Sequence, residues 1–127
     1  MNTPAPPALE PDVRDLLALL ATIYMENDRP EKAAVLLSAL DALQQTDSRA
    51  LAQLALAQLR SGKPDKALGT LDRLAIDGRA DAVFHLIRAH TLLALQREDE
   101  AAAAMRAYVA LRPAGADAAP GGSSAAA

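Results

Sequence analysis

Apolar residues recur along this chain at the three- and four-residue spacing of α-helices, in segments separated by short polar breaks. The first segment, residues 12–27, carries Leu16, Leu20 and Ile23 at that spacing. The breaks at residues 27–30 and 61–64 each end in a proline, which fits the first turn of a helix because no N–H is needed there. The pattern predicts helices in pairs and no strands, and therefore an all-α fold.

The same pattern places five more helices after the first. We expect them from Pro30, over 49–60, from Pro64, over 80–95 and over 99–111. Thr46, Asp47 and Ser48 carry side-chain oxygens that accept hydrogen bonds from free N–H groups at a helix start, which favours a boundary there.

A fixed interval connects these helices. Ala33, Ala67 and Ala101 are spaced 34 residues apart. A large apolar residue follows each alanine four residues later, namely Leu37, Leu71 and Met105. Small residues at such points let two helices cross closely, and a constant interval of this length is typical of stacked helical repeats. An ordinary helical bundle is the alternative all-α fold, but it does not predict the interval.

The interval and the small residues Ala21, Ala55 and Ala89 resemble tetratricopeptide repeats. The resemblance implies one domain over 12–113, built of three tandem helix-turn-helix repeats at about 14–47, 48–81 and 82–113. Such repeats form a short right-handed superhelix with a concave groove. The chain departs from the family where a Trp is usual, since Leu17, Leu51 and His85 stand there.

The resemblance also implies which residues form the concave wall, because the first helix of each repeat faces inward. Carried over one by one, they are Asp15, Ala18, Thr22, Met25, Arg49, Ala52, Leu56, Leu59, Val83, Leu86, His90 and Leu93. A mostly apolar wall is suited to an amphipathic helix or an extended apolar segment of a partner. Two alternatives stay open: the wall folds into the protein's own core, or the assigned register is one residue off.

Composition narrows the environment and the function. The chain has 127 residues, a formal charge of −3 and no cysteine, and it shows no basic patch, which argues against nucleic acid as a ligand. Residues 1–11 are rich in proline and residues 114–127 consist mainly of Ala, Gly and Ser, so both segments are expected to be disordered. No signal peptide is apparent, and we expect a cytoplasmic bacterial protein.

No constellation of residues indicates catalysis, a metal site, a cofactor or a small-molecule substrate. His85 and His90 are five residues apart on one predicted helix and point in different directions, so they cannot share a metal ion. We expect His85 at the edge of the core and His90 on the wall. The acidic run 98–100 lies at a helix start, where it complements the helix dipole. The protein is therefore not expected to be an enzyme.

Within the repeat family, the chain is similar to the small chaperones of type III secretion systems. The likeness rests on size, on the Leu-rich first helix and on the last helix, residues 103–112. It implies about one-to-one binding of a small secreted helical client, either the X-type export component or the needle subunit. The chaperone would keep that client soluble until transient contact with the membrane export gate. The alternatives are a general scaffold in a pilus, envelope or regulatory assembly, and a homodimer when no client is bound.

The end of the last repeat raises a separate expectation. Repeat arrays usually finish with a polar capping helix, and none follows Pro113. We therefore expect the apolar residues of the last helix pair to be partly bare. They are Leu92, Leu95, Met105, Val109 and Leu111.

Overall fold

The computed structural model describes residues 10–44 and 46–113, and these residues form helices and turns without any strand. The helices are α1 (Pro11–Glu26), α2 (Pro30–Ala42), α3 (Ser48–Arg60), α4 (Pro64–Ile76), α5 (Ala82–Ala94) and α6 (Glu98–Leu111). The all-α prediction is confirmed, and the predicted helix bounds agree to within two residues. The segments expected to be disordered lie outside the described residues, except for positions 10 and 11. Of those two, Pro11 opens α1.

Local sequence accounts for where the helices begin. Proline occupies the first turn of α1, α2 and α4. At α3 and α5 the aspartates Asp47 and Asp81 accept hydrogen bonds from the N–H groups of Ala50 and Phe84, at 2.8 and 2.9 Å. The expected cap at Asp47 is thus confirmed.

The turns within the pairs also repeat. Asp28, Gly62 and Gln96 stand 34 residues apart, and each has a positive φ, of 59°, 78° and 61°. This left-handed conformation closes a helix and suits glycine best, because other side chains crowd the backbone there. The chain therefore reverses direction in the same way within all three helix pairs.

Burial follows the interval as well. Ala33 and Ala67 are fully buried and Ala101 is nearly so. Leu37 and Leu71, four residues after the first two alanines, are also completely buried. Small residues at the crossing points thus let the two helices of each pair approach, and the leucines fill the space beside them.

Consecutive helices pack against each other, and α3 also contacts α5. One core cluster extends from Ala21 in α1 to Ile87 in α5. A second, smaller cluster lies between α5 and α6 and consists of Ala89, Leu92, Ala101 and Ala104, with Leu68 packed against it. The three pairs thus form a linear stack, in which each pair rests on the one before it.

Polar side chains connect the first two pairs. Arg73 of α4 donates two hydrogen bonds of 2.7 Å to the carboxylate of Asp41 at the end of α2. These bonds hold the pKa of Asp41 below its ordinary value, against the opposing effect of partial burial. Arg60 at the end of α3 forms a 2.9 Å ion pair with Asp28 and also donates to the carbonyl of Met25 at 3.3 Å.

The expectation of a bare last helix pair is correct for part of the set. Met105, Val109 and Leu111 are exposed by 38, 50 and 53%. Leu95 is half-buried. For Leu92 the expectation is wrong, because this side chain is fully buried between α5 and α6, where the small side chains of Ala101 and Ala104 make room.

None of the helices in the described part of the chain has the length and apolar character that crossing a membrane requires.

Candidate functional site: a wall formed by α1, α3 and α5

The residues predicted to form the concave wall lie on α1, α3 and α5, the first helix of each pair. Asp15, Ala18, Thr22 and Arg49 line one groove of about 350 Å³ between α1 and α3. Leu19, Asp47, Ala50 and Gln53 complete that groove. The stacking of the pairs thus brings predicted residues from two helices into one surface feature.

A second groove continues the wall on the other side of α3. Arg49, Ala52 and Val83 line it together with Ser48, Leu74, Arg79, Asp81 and Phe84, and its volume is about 180 Å³. Arg49 borders both grooves, is exposed, and forms no ion pair with the described residues. It therefore places an exposed positive charge near the centre of the wall, where Asp15 and Asp47 line the first groove and Asp81 lines the second.

A third cavity of about 280 Å³ lies at the far end of the wall. His90 and Leu93 of α5 line it, together with Ala101 and Met105 of α6. His90 is exposed, whereas Leu93 is an apolar side chain that is 58% exposed. The expectation that His90 lies at the surface of the wall agrees with this position.

The wall residues differ widely in exposure. Val83 is 54% exposed, and Asp15 is also exposed. Partly buried wall residues are Ala18, Thr22, Ala52, Leu56, Leu59 and Leu86. The apolar surface of the wall is therefore discontinuous. Its most exposed apolar side chains, Val83 and Leu93, lie near the two ends of α5.

Met25 does not belong to this open surface. It is 8% exposed and is part of the main core cluster. Its long, unbranched side chain fills space beneath the stack, as the alternative of a wall folded into the core describes. For Met25 the assignment to the partner groove is corrected by its burial.

Hydrogen bonds fix the floor of the first groove. The Gln53 amide donates to the hydroxyl of Thr22 at 2.9 Å, and that hydroxyl donates to the carbonyl of Ala18 at 3.1 Å. The Thr22 hydroxyl thus acts within the protein both as an acceptor and as a donor. A partner on this part of the wall would meet a preformed surface, which lowers the entropic cost of binding.

His85 lies beside the wall and packs into the core edge. Its ring meets the ring of Phe84 edge-on, with 4.9 Å between the centroids. The Nδ1 atom is buried and has no hydrogen-bond partner among the described residues. His85 is half-buried, in agreement with the expectation of a residue at the core edge. In the described part of the chain, no group of three or more His, Asp or Glu side chains could hold a metal ion.

A cleft of similar size lies on a different side of the described residues. It measures about 360 Å³ and is lined by side chains of α2, α3 and α4 and the α3–α4 turn, among them Val35, Gln58, Lys63 and Lys66. Cavity size alone therefore does not select the wall. What distinguishes the wall is that equivalent helices of all three pairs contribute to it.

Nine residues that line the first two grooves are absent from the predicted wall, among them Arg79 and Gln53. Arg79 was not predicted because it lies in the turn before α5, outside the helices assigned to the wall. Gln53 lies on α3 directly after Ala52, one residue outside the set assigned to the wall. The only available signal for Arg79 was a positive charge at the end of a repeat, which is common on solvated surfaces.

No protein family, curated protein or solved structure matches this chain at a significant level.

Proposed function

We propose that the protein is a binding module of the tetratricopeptide type, with three repeats in a short right-handed superhelix. The 34-residue recurrence of burial, of positive φ and of helix starts supports this assignment. In such a stack α1, α3 and α5 form the concave wall, and the ligand is a segment of another protein.

The single observation that carries the binding function is that exposed apolar side chains on the wall stand together with exposed charges, Arg49 and Asp15, that form no ion pair among the described residues. Val83 and Leu93 are more than half exposed on the same helix, where solvent contact is unfavourable. Arg49 sits between the two grooves and forms no ion pair with the residues that the structure describes. An amphipathic helix with an acidic residue among its apolar anchors would complement both features.

The particular proposal is a chaperone of type III secretion in the bacterial cytoplasm. It binds one small secreted helical client at about one-to-one and covers that client's apolar face until export. Its support is the resemblance of the first and last helices together with the apolar wall. No catalytic step is part of this function. A scaffold that bridges several envelope or regulatory components is the competing use of the same wall.

The experiment is an affinity purification of the tagged full chain from its native cell, with the captured proteins identified and their stoichiometry measured. One small helical protein at about one-to-one supports the chaperone. Several large or envelope-associated proteins support the scaffold, and capture of nothing but the chain itself contradicts both.

Val83→Asp tests the wall within the same experiment. A carboxylate at this open position would lie against the partner's apolar side chains and become desolvated, so we expect capture to fall at least tenfold. Ile76→Asp is the matched control, because Ile76 is 83% exposed on α4, away from the wall. Equal capture by wild type and Val83→Asp, with helical circular dichroism unchanged, would contradict the wall as the binding site.

A further inference from the structure

The start of the stack exposes an apolar stripe on α1. Leu16, Leu19 and Ile23 are exposed by 61, 57 and 42%. Their spacing of three and four residues places them on one side of the helix. We call this stripe the α1 face.

The same positions are covered in the later pairs. The residues 68 positions after the α1 face are Phe84, Ile87 and Thr91, and all three are buried. The intermediate set is Ala50, Gln53 and Ala57, which are half-buried or buried. In both cases the helix rests on the preceding pair, α3 on α2 and α5 on α4. The α1 face is therefore the surface on which a preceding helix pair would pack.

At the other end of the stack, the last helix pair exposes the surface on which a following helix pair would pack. Met105 is 38% exposed, whereas its counterparts Leu37 and Leu71 are fully buried. Tyr108 is half-buried, whereas its counterparts Leu40 and Leu74 are exposed by only 1 and 2%. The cavity of about 280 Å³ beside Leu93 and Met105 lies at this end. We call this surface the α6 face.

We propose that the α6 face of one chain binds the α1 face of a second copy, head to tail. A second copy is the expected occupant because the contact between two chains would repeat the contact between consecutive helix pairs within one chain. Within one chain, the second helix of a pair already packs against the first helix of the next pair, and residues at the same repeat positions are buried or half-buried there. The two end faces are the unmatched halves of that contact.

Charge supports this pairing. Just before and at the start of α1 lie Glu10, Asp12 and Asp15, with Arg14 as the only base among them. The α6 helix after Glu100 and the two residues that follow it carry only Arg106 and Arg112 as charged residues. In a head-to-tail contact the end of α6 lies beside the start of α1, as the end of α2 lies beside the start of α3. Opposite charges would then meet at this rim, which favours the contact there, while the acidic start of α6 would lie near Glu26 at the other end of α1.

The chain's own tail is a poor occupant for the α6 face. Residues 114–127 contain only Ala, Gly, Ser, Pro and Asp, and thus no large apolar side chain that could fill the cavity. A second copy supplies Leu16, Leu19 and Ile23. Because the contact joins two different surfaces, it leaves one free face at each end and permits longer chains as concentration rises.

The test is analytical ultracentrifugation of the full chain over a wide concentration range, with Leu16→Glu and Met105→Glu as single variants. For the wild type we expect the average mass to rise above the monomer value of 13.3 kDa. Each variant alone should remain monomeric, since every contact needs both faces. An equimolar mixture of the two should recover a dimer of about twice the monomer mass, because each variant keeps the face that the other has lost.

The controls separate this contact from folding and from partner binding. Circular dichroism checks the helical content, and Val109→Glu replaces Met105→Glu if that variant unfolds, since Val109 is 50% exposed. Ile76→Glu and Val83→Asp should associate like the wild type. Met105 also lines the cavity at the far end of the wall, whereas Leu16 and Val109 line none of the three wall cavities, so Leu16→Glu and Val109→Glu keep this test independent of the proposed partner groove.

Three outcomes overturn the proposal. The first is a wild type that stays monomeric at every concentration. The second is a single variant that still self-associates alone, which would mean that two like faces pair. A mixture that stays monomeric contradicts the matching of these two faces.

Discussion

The two internal junctions of the stack are built differently on the same backbone repeat. Between the first and second pairs, α3 contributes the small or polar residues Ala50, Gln53 and Ala57, and two ion pairs hold the pairs together. Between the second and third pairs, α5 contributes Phe84 and Ile87 at the equivalent positions. Among the described residues no ion pair joins residues 48–81 to 82–113, and the side-chain hydrogen bond across this boundary is the helix cap that the Phe84 N–H donates to Asp81. The repeat thus fixes the helix arrangement and apolar packing crosses both junctions, while ion pairs reinforce only the first.

This difference has a consequence for local stability. Apolar packing at the second junction depends on a few large side chains, and the last pair has its own small, alanine-rich cluster. Regions with few buried apolar contacts open more readily than the rest of a protein. We therefore expect the third pair to separate from the stack before the first two separate from each other.

The largest expected effect comes from Phe84→Ala. Phe84 is 4% exposed, and its removal leaves a cavity at the junction that lacks ion pairs. We expect a loss of about 3–5 kcal/mol in the free energy of unfolding, measured by urea denaturation. Amide exchange should rise first in α5 and α6. Ile76→Ala, at a site 83% exposed, is the control and should change stability by less than about 0.5 kcal/mol.

A smaller effect is expected at the first junction. A double-mutant cycle with Asp41→Asn and Arg73→Gln should give a coupling free energy of about 1 kcal/mol, because the pair is bidentate but Arg73 is half exposed. A coupling near zero would mean that the apolar contacts of α2 and α3 hold this junction without the ion pair.

The same pair predicts a dependence on pH. The folded pKa of Asp41 is lowered by the hydrogen bonds from Arg73, so the contribution is complete above the ordinary aspartate value of about 3.9 and is lost as pH falls through the folded pKa. The stability difference between wild type and Asp41→Asn should therefore be constant near neutral pH and shrink below about pH 4. A difference that instead grows on acidification would contradict this ion pair.

The smallest effect concerns the turns within the pairs. Gln96 has a φ of 61° where the equivalent Gly62 has 78°. Gln96→Gly should stabilise the protein by about 0.5–1 kcal/mol, because glycine adopts this conformation without steric cost. Gly62→Ala should destabilise it by about 1 kcal/mol, since no atom lies close enough to clash and only the backbone conformation matters. Thermal unfolding would measure both.

Sequence alone predicted the helices well because their signals are local. Prolines at Pro30 and Pro64, the cap at Asp47 and the helical spacing of leucines place the boundaries within two residues. Burial of individual side chains was predicted less well. Leu92 was expected to be bare and is buried, because the neighbouring alanines of α6 leave room for it. Met25 was assigned to the wall and lies in the core. Both errors concern how far two helices approach, which depends on the sizes of residues distant in sequence.

The ion pairs between the helix pairs were even harder to predict from the sequence. Asp41 and Arg73 are 32 residues apart, and nothing local distinguishes them from other charged surface residues. Their pairing follows only from the stacking of the second helix pair on the first, through α2 and α3. Likewise, the open groove around Arg49 requires the relative placement of α1, α3 and α5, although the repeat interval indicated which helices would form it.

The most direct test of the central proposal, that the wall of α1, α3 and α5 binds a segment of another protein, is site-specific photo-crosslinking in the native cell. A photoreactive amino acid would replace Val83 on the wall or Ile76 on α4, both largely exposed. We predict that position 83 yields a cross-link to one small helical protein and that position 76 does not. No cross-link at position 83, or the same products from both positions, would contradict a binding wall.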